Sequence, residues 1–215
     1  MKLLRIIIIF GLFQSSAFAS LIQWDAFHSG DQLAVKDQDT GTIWLDLSVT
    51  AGFSYSQAGD LFTDWGYASN QQVEELLSKA FPNFTSNTIS SYQLNCLSGN
   101  GCFNQANQWL ELFGATEHLQ NANVKYGFGL YADEDDVVRM GGSRINGILG
   151  SANIYGDEFS VDYSSYLDSP AYFYSTFLTF QPQLLSKSNV ALSETGTLGL
   201  FALAIGLFGI KRKKR

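Results

Sequence analysis

Five cations in a row, Lys211-Arg212-Lys213-Lys214-Arg215, follow fourteen residues, Thr197–Ile210, that carry no charge. No other feature constrains the fold of this chain as strongly. An apolar helix stopped by a block of cations is the pattern of a membrane stop signal, with the cations held on the cytoplasmic side. Fourteen residues at about 1.5 Å each reach roughly 21 Å, against a hydrocarbon core of about 30 Å. Such a helix spans if its flanks snorkel or the bilayer thins around it. The expectation is a single C-terminal transmembrane helix over 197–210, a basic tail over 211–215, and an exported body before them.

The start of the chain agrees with this. Lys2 and Arg5 precede an apolar run, Ile6–Phe13, and Ala17-Phe18-Ala19 is a small-x-small site. That is the anatomy of a secretory signal peptide over residues 1–19, removed by signal peptidase after Ala19. Of thirteen Lys/Arg, two lie in this leader and five in the tail, so residues 20–210 hold six cations against all twenty carboxylates, a net charge of −14. So acidic a surface argues against nucleic acid and anionic lipid as partners. It admits divalent cations, basic partners and neutral glycans. The two cysteines, Cys96 and Cys102, stand in NCLSGNGCF. Export places them in an oxidising compartment, and the short glycine-containing loop between them closes easily, so they are expected to form a structural disulfide.

Between leader and tail, residues 20–180 are long enough for one globular domain with a sizeable core. Leu21–Phe27, Gln32–Lys36 and Thr42–Leu47 read as strands, the last two joined by a turn at Asp37–Gly41. Ser54–Gln57 and Ser69–Gln72 fit capping boxes. They open helices whose apolar faces are Tyr55, Ala58, Leu61 and Phe62 in the first, and Val73, Leu76, Leu77, Ala80 and Phe81 in the second, with Pro82 as the stop. A third helix is expected over Asn104–Phe113, with Ala106, Trp109, Leu110 and Phe113 inward. Beyond Val124 the pattern turns to strands at Lys125–Tyr131, Asp136–Met140, Ile145–Leu149 and Ala171–Phe180. The expected class is α+β, an antiparallel sheet with two or three helices between strand groups. Residues 181–192 read as a linker.

Ser193-Glu194-Thr195-Gly196-Thr197-Leu198, with the short helix and basic cluster behind it, resembles the PEP-CTERM sorting signal of Gram-negative bacteria. One common form of that signal reads Ser-Glu-Pro-Gly-Thr-Leu, and Thr195 stands where it has proline. The resemblance implies processing near Glu194 by an exosortase, a membrane transpeptidase. Read from Leu192 to Gly196, the same residues are also similar to the Gram-positive sortase signal LPxTG, with Ser193 in the proline place. That reading implies cleavage between Thr195 and Gly196. The immediate start and shortness of the helix favour the exosortase. A second resemblance lies in the body: Trp44-Leu45-Asp46-Leu47, Thr50–Tyr55 and Trp65-Gly66-Tyr67-Ala68-Ser69 look like an extracellular domain common in PEP-CTERM proteins. Asp64 and Gly66 stand where that domain has glycine and arginine. The domain is distantly similar to C-type-lectin-like folds.

The residues that could carry chemistry are sparse. There are two histidines, His28 and His118, and no G-x-S-x-G elbow, H-E-x-x-H motif or phosphate loop. A secreted hydrolase would have to use His28 or His118 with one of the many serines. Asp133-Glu134-Asp135-Asp136 is the densest carboxylate group; Asp133, Asp135 and Asp136 are candidate oxygen ligands for calcium, without EF-hand spacing. A solvated acidic turn is the competing reading. Tyr163, Tyr166, Tyr172, Phe173 and Tyr174, with Trp24, Trp44, Trp65 and Trp109, offer flat faces for stacking on sugar rings, against core packing as the default. The leading expectation is a non-enzymatic protein at the cell surface or released into the biofilm matrix, associated with extracellular polysaccharide and needing no cofactor. The alternatives are the hydrolase and a calcium-stabilised structural surface protein.

Overall fold

The computed structural model describes residues 20–82, 93–156, 162–170 and 172–181. The leader with Ala19, residues 182–192 of the linker and the sorting motif Ser193–Gly196 with its helix lie outside them. Among the described residues, no helix is long and apolar enough to cross a membrane. The chain opens as a meander: β1 (Leu21–Trp24) pairs with β2 (Ala34–Asp37), and β2 with β3 (Ile43–Leu45), all antiparallel. The β1–β2 connection is organised by two carboxylates. Asp31 accepts hydrogen bonds from the N–H groups of Ala26, Phe27, His28 and Leu33, and Asp25 from those of Gly30 and Gln32. Burial would raise the Asp31 pKa, but the four backbone donors outweigh it and hold the carboxyl well below its usual range.

Both predicted capping boxes are formed. They start α1 (Tyr55–Asp60) and α2 (Asn70–Ala80), and α2 buries Val73, Leu76, Leu77 and Ala80 as its spacing requires. The first helix is shorter than its apolar pattern suggests. Leu61 closes it, 39% exposed, and Phe62 packs instead on the outer side of the first sheet with Ala34, Leu45, Trp65 and Leu178. The following strand, β4 (Trp65–Tyr67), packs back on the helix: the Tyr67 hydroxyl, shared between the carbonyls of Tyr55 and Ser56, donates at 2.9 Å and 3.2 Å, and its ring stacks on Tyr55.

The second half is dominated by another sheet: β5 (Gln93–Leu97), β6 (Glu117–Leu119), β7 (Val124–Ala132), β8 (Val138–Asn146), β9 (Ser151–Tyr155) and β10 (Tyr174–Thr176). Helix α3 (Gly101–Phe113) lies across it and buries Ala106, Trp109, Leu110 and Phe113. It begins three residues before the sequence pattern indicates, so that Cys102 sits in its first turn. There it is at disulfide distance from Cys96 on β5, with a Cα–Cα separation of 5.8 Å.

The fold is therefore α+β with antiparallel pairing predominant, but it has two sheets where one was expected, and its strands also differ from the sequence reading. Asp136–Met140 and Ile145–Leu149 were expected as separate strands, whereas β8 runs through Gly141 and Gly142 without a break. These glycines mark close packing. A Cβ on Gly141 would come within 2.6 Å of Leu77 on α2, and one on Gly142 within 2.1 Å of the Gly127 carbonyl. Ile148 and Leu149 fall in the turn after β8, 67% and 72% exposed. The expected strand Ala171–Phe180 divides at Phe177: β10 runs parallel to β7 in the second sheet, while β11 (Leu178–Phe180) inserts antiparallel between β3 and β4 in the first.

Phe177 joins the two sheets through its backbone and its ring. Its N–H donates to Leu130 of β7 at 3.0 Å, and its carbonyl accepts from Ala68 at 3.0 Å. The ring, 1% exposed, meets Trp44, Trp109 and Tyr131 edge-on and occupies the space that a Cβ on Gly129 would need. Beside it, the Thr50 hydroxyl is hydrogen-bonded to Ser175 and accepts from the Thr176 N–H. Truncation of so central a ring leaves a cavity, so Phe177→Ala is expected to lower unfolding free energy by about 3–5 kcal/mol. Urea unfolding of the full chain in detergent, followed by tryptophan fluorescence, measures this; a loss below about 1 kcal/mol would contradict the central role of the ring.

Candidate binding cleft between the β2–β3 hairpin and helix α2

A cleft of about 550 Å³ lies between the β2–β3 hairpin and α2. Its position follows from helix periodicity. With Val73, Leu76, Leu77 and Ala80 turned into the core, Gln71, Glu75 and Ser78 are left on the exposed side, facing Thr40 and Thr42 of the hairpin. The helical neighbours are paired: Gln71 donates to Glu75 at 2.8 Å, and Asn70 to Glu74 at 3.3 Å. Trp44 lines the cleft while 3% exposed, and its indole Nε1–H is buried without an acceptor. A buried donor left unpaired is costly.

Lys79, in the last turn of α2, forms the charged end of the cleft. Its Nζ lies 2.7 Å and 2.9 Å from the two oxygens of Asp37, and 2.9 Å from Asp39. Asp39 also donates its N–H to Asp37 at 2.9 Å. Burial alone would raise the Asp37 pKa, but the Lys79 hydrogen bonds and the Asp39 N–H outweigh it and hold the carboxyl below its usual value. The same contacts raise the Lys79 pKa against a burial effect of opposite sign. One end of the cleft therefore carries an ion-paired triad, and the rest of its lining presents amides, carboxylates and hydroxyls.

The residues singled out in the sequence are scattered. His28 stands in the β1–β2 connection and His118 on β6 of the other sheet, both exposed, and among the described residues neither ring takes part in a hydrogen bond or ion pair. The acidic run forms the β7–β8 turn. Asp133 accepts from the N–H groups of Asp135 and Val137 and pairs with Arg139 at 2.7 Å; these contacts lower its pKa against the opposing effect of burial. Asp135 and Asp136 stay exposed in the turn, and Asp136 is left-handed with φ 61°. Among the described residues, no group of three or more His, Cys, Asp or Glu is placed to hold a metal ion.

Of the aromatics, Trp44 and Trp109 are core and Trp65 is buried on the outer side of the first sheet. Trp24 is 41% exposed, with the Lys36 ammonium 4.3 Å above its ring. Tyr163, Tyr166 and Tyr174 pack on one another over the second sheet, while Tyr172 and Phe173 are exposed. Sequence reasoning missed the cleft because its defining contact joins residues forty positions apart. The legible signals were only the polar face of α2 and the paired aspartates of the turn. The chain matches no protein-family model, and neither a curated protein nor a solved structure is detectably similar to it.

Asp37 is nearly buried, so removing its cation leaves a poorly solvated charge. Lys79→Gln is expected to cost about 2 kcal/mol at neutral pH. Asp37 has a depressed pKa, so its share of the stability is present above the ordinary value of 3.8 and disappears as pH falls through the lowered one. Lys79 has a raised pKa, so its share holds below 10.5 and disappears as pH rises through the raised value. The difference in Tm between wild type and variant should form a plateau between these limits and shrink at both ends. A difference that does not vary with pH would show that the pair contributes no charge–charge stabilisation.

Proposed function

We propose that this chain is an exported, non-enzymatic surface protein that binds a neutral extracellular polysaccharide through the cleft beside α2. The lining of the cleft carries this reading. Gln71, Glu75, Thr40 and Thr42 line one cleft with amide, carboxylate and hydroxyl groups, the donor and acceptor types that sugar hydroxyls pair with. The charge of −14 on residues 20–210 disfavours an anionic polymer. In this reading the leader ending at Ala19 directs export, and Ser193-Glu194-Thr195-Gly196 with its helix and basic tail is a PEP-CTERM-like signal handled by an exosortase. The protein then stays anchored or is released to the matrix. The fold relation proposed with it is a distant one, to C-type-lectin-like domains, and rests on the Trp44–Leu47, Thr50–Tyr55 and Trp65–Ser69 motifs.

Affinity electrophoresis tests the binding. The full mature chain, in detergent, should be retarded in gels cast with the host's neutral exopolysaccharide, and Gln71→Ala combined with Glu75→Ala should weaken binding about tenfold, or roughly 1.4 kcal/mol. Both side chains are exposed, so the variant should melt as the wild type does. Equal retardation of the two proteins would remove the cleft from the proposal. The sorting step is read separately, from intact mass in membrane and released fractions. A mass ending near Glu194 is expected from exosortase processing, one ending at Thr195 would indicate a sortase, and one running to Arg215 would show an uncut anchor.

A further inference from the structure

We propose that the outer face of the second sheet holds a separate subsite, centred on Arg144, that takes a sugar residue bearing a carboxylate. It lies apart from the cleft beside α2 and does not rest on that reading. Strand register sets its geometry. Across β6, β7, β8 and β9 the pairs Glu117–Tyr126, Tyr126–Arg144 and Arg144–Asn153 stand directly opposite one another, so the four side chains project from one face as a row. That face is turned away from α3. The neighbouring Ser143 points to the helix, its hydroxyl donating to the Ala106 carbonyl at 3.1 Å, and Ile145 is buried in the core. Further along the outer face, Val138 and Met140 are buried in a cluster with Tyr163 and Tyr166, whereas the row itself stays partly exposed.

Charge decides what this face can take. Lys79 and Arg139 are spent on carboxylates, and Lys36 lies over Trp24. Arg144 has no ion-pair partner among the described residues; its guanidinium lies 5.4 Å from the centre of the Tyr126 ring, and its buried Nε–H has no acceptor. Glu117, the carboxylate of the row, is two strands away and accepts from the His118 N–H at 2.8 Å. A guanidinium held on an aromatic face keeps its planar fork of donors for an anion of matching shape, which a carboxylate has. Tyr126 also meets Phe173 at 5.0 Å, and Phe173 is 40% exposed. Thr116 holds the two together: its hydroxyl donates to the Phe173 carbonyl at 2.7 Å, and its N–H to the Tyr126 carbonyl at 2.7 Å. An exposed flat ring and an unpaired cation, both resting on one tyrosine, suit a pyranose acid. Its C–H face lies on the aromatic ring and its carboxylate on the guanidinium. The charge of −14 on residues 20–210 repels a polymer that is acidic at every unit, so the fitting ligand is an isolated acidic residue in an otherwise neutral chain.

The test uses the full chain in detergent at low ionic strength, titrated with methyl β-D-glucuronide, methyl β-D-glucoside and N-acetylalanine and read by saturation-transfer NMR. The wild type is expected to bind the glucuronide about tenfold more tightly than the glucoside, or roughly 1.4 kcal/mol. Arg144→Gln should erase that preference. Arg144→Lys keeps a cation at the site but loses the fork, and should reduce the preference even if the glutamine variant disturbs the sheet. Phe173→Ala should weaken both glycosides by a similar factor and leave their ratio unchanged. Gln71→Ala combined with Glu75→Ala should bind the glucuronide as the wild type does, which separates this subsite from the cleft. The subsite is overturned if the wild type binds neither glycoside or both equally, or if the preference is unchanged in both Arg144 variants. N-acetylalanine binding as tightly as the glucuronide would also overturn it, and would assign Arg144 to a peptide carboxylate instead.

Discussion

The seating of Phe177 between two sheets is the contact on which the rest of the architecture depends. One extended segment of seven residues supplies β10 to the second sheet and β11 to the first, and Phe177 is the single residue between them. Its amide is spent on one sheet and its carbonyl on the other, so neither sheet can shift without straining a hydrogen bond to the other. The ring completes the coupling by filling the junction of Trp44, Trp109 and Tyr131. In a core packed at crystal-like density, such a residue fixes the relative position of every element touching it.

The motif residues around this junction have structural work. Asp46 caps the short helical turn after β3 by accepting the Ser48 N–H at 2.7 Å, and burial raises its pKa despite that bond. Thr50 ties the same turn to Ser175 and Thr176, and Ser54 caps α1. Trp44 belongs at once to the core and to the lining of the cleft. The cleft thus has one wall, at Trp44, that belongs to the packed core, while Gln71, Glu75 and Ser78 on its other side are exposed.

Much of the fold was legible because its signals are local. Ser54 and Ser69 each place a glutamine three residues on, and both capping boxes are formed; the apolar stripe of α2 is buried as its spacing demands. What was not legible depends on distant partners. The glycines at 141 and 142 look like punctuation until Leu77 and the Gly127 carbonyl are seen against them. The division at Phe177 cannot be read from Ala171–Phe180, because it is the slot between β3 and β4 that draws Leu178–Phe180 away. The site was least legible of all. Asp37 and Asp39 carry the signature of a turn, which they form, and nothing near them in sequence announces Lys79.

The order of the first sheet, β1-β2-β3-β11-β4, has a consequence for how the molecule is made. Strand β4 reaches that sheet only through β11, which comes more than a hundred residues later in the chain. A polypeptide emerging from its amino end therefore carries β3 with an open, hydrogen-bonding edge, Trp44 among its residues, until almost the whole domain has been delivered. Open edges of this kind recruit foreign strands, and the delay lengthens with the span of chain that must be closed. The first sheet is therefore completed late, when residues 178–180 arrive to pair with both β3 and β4.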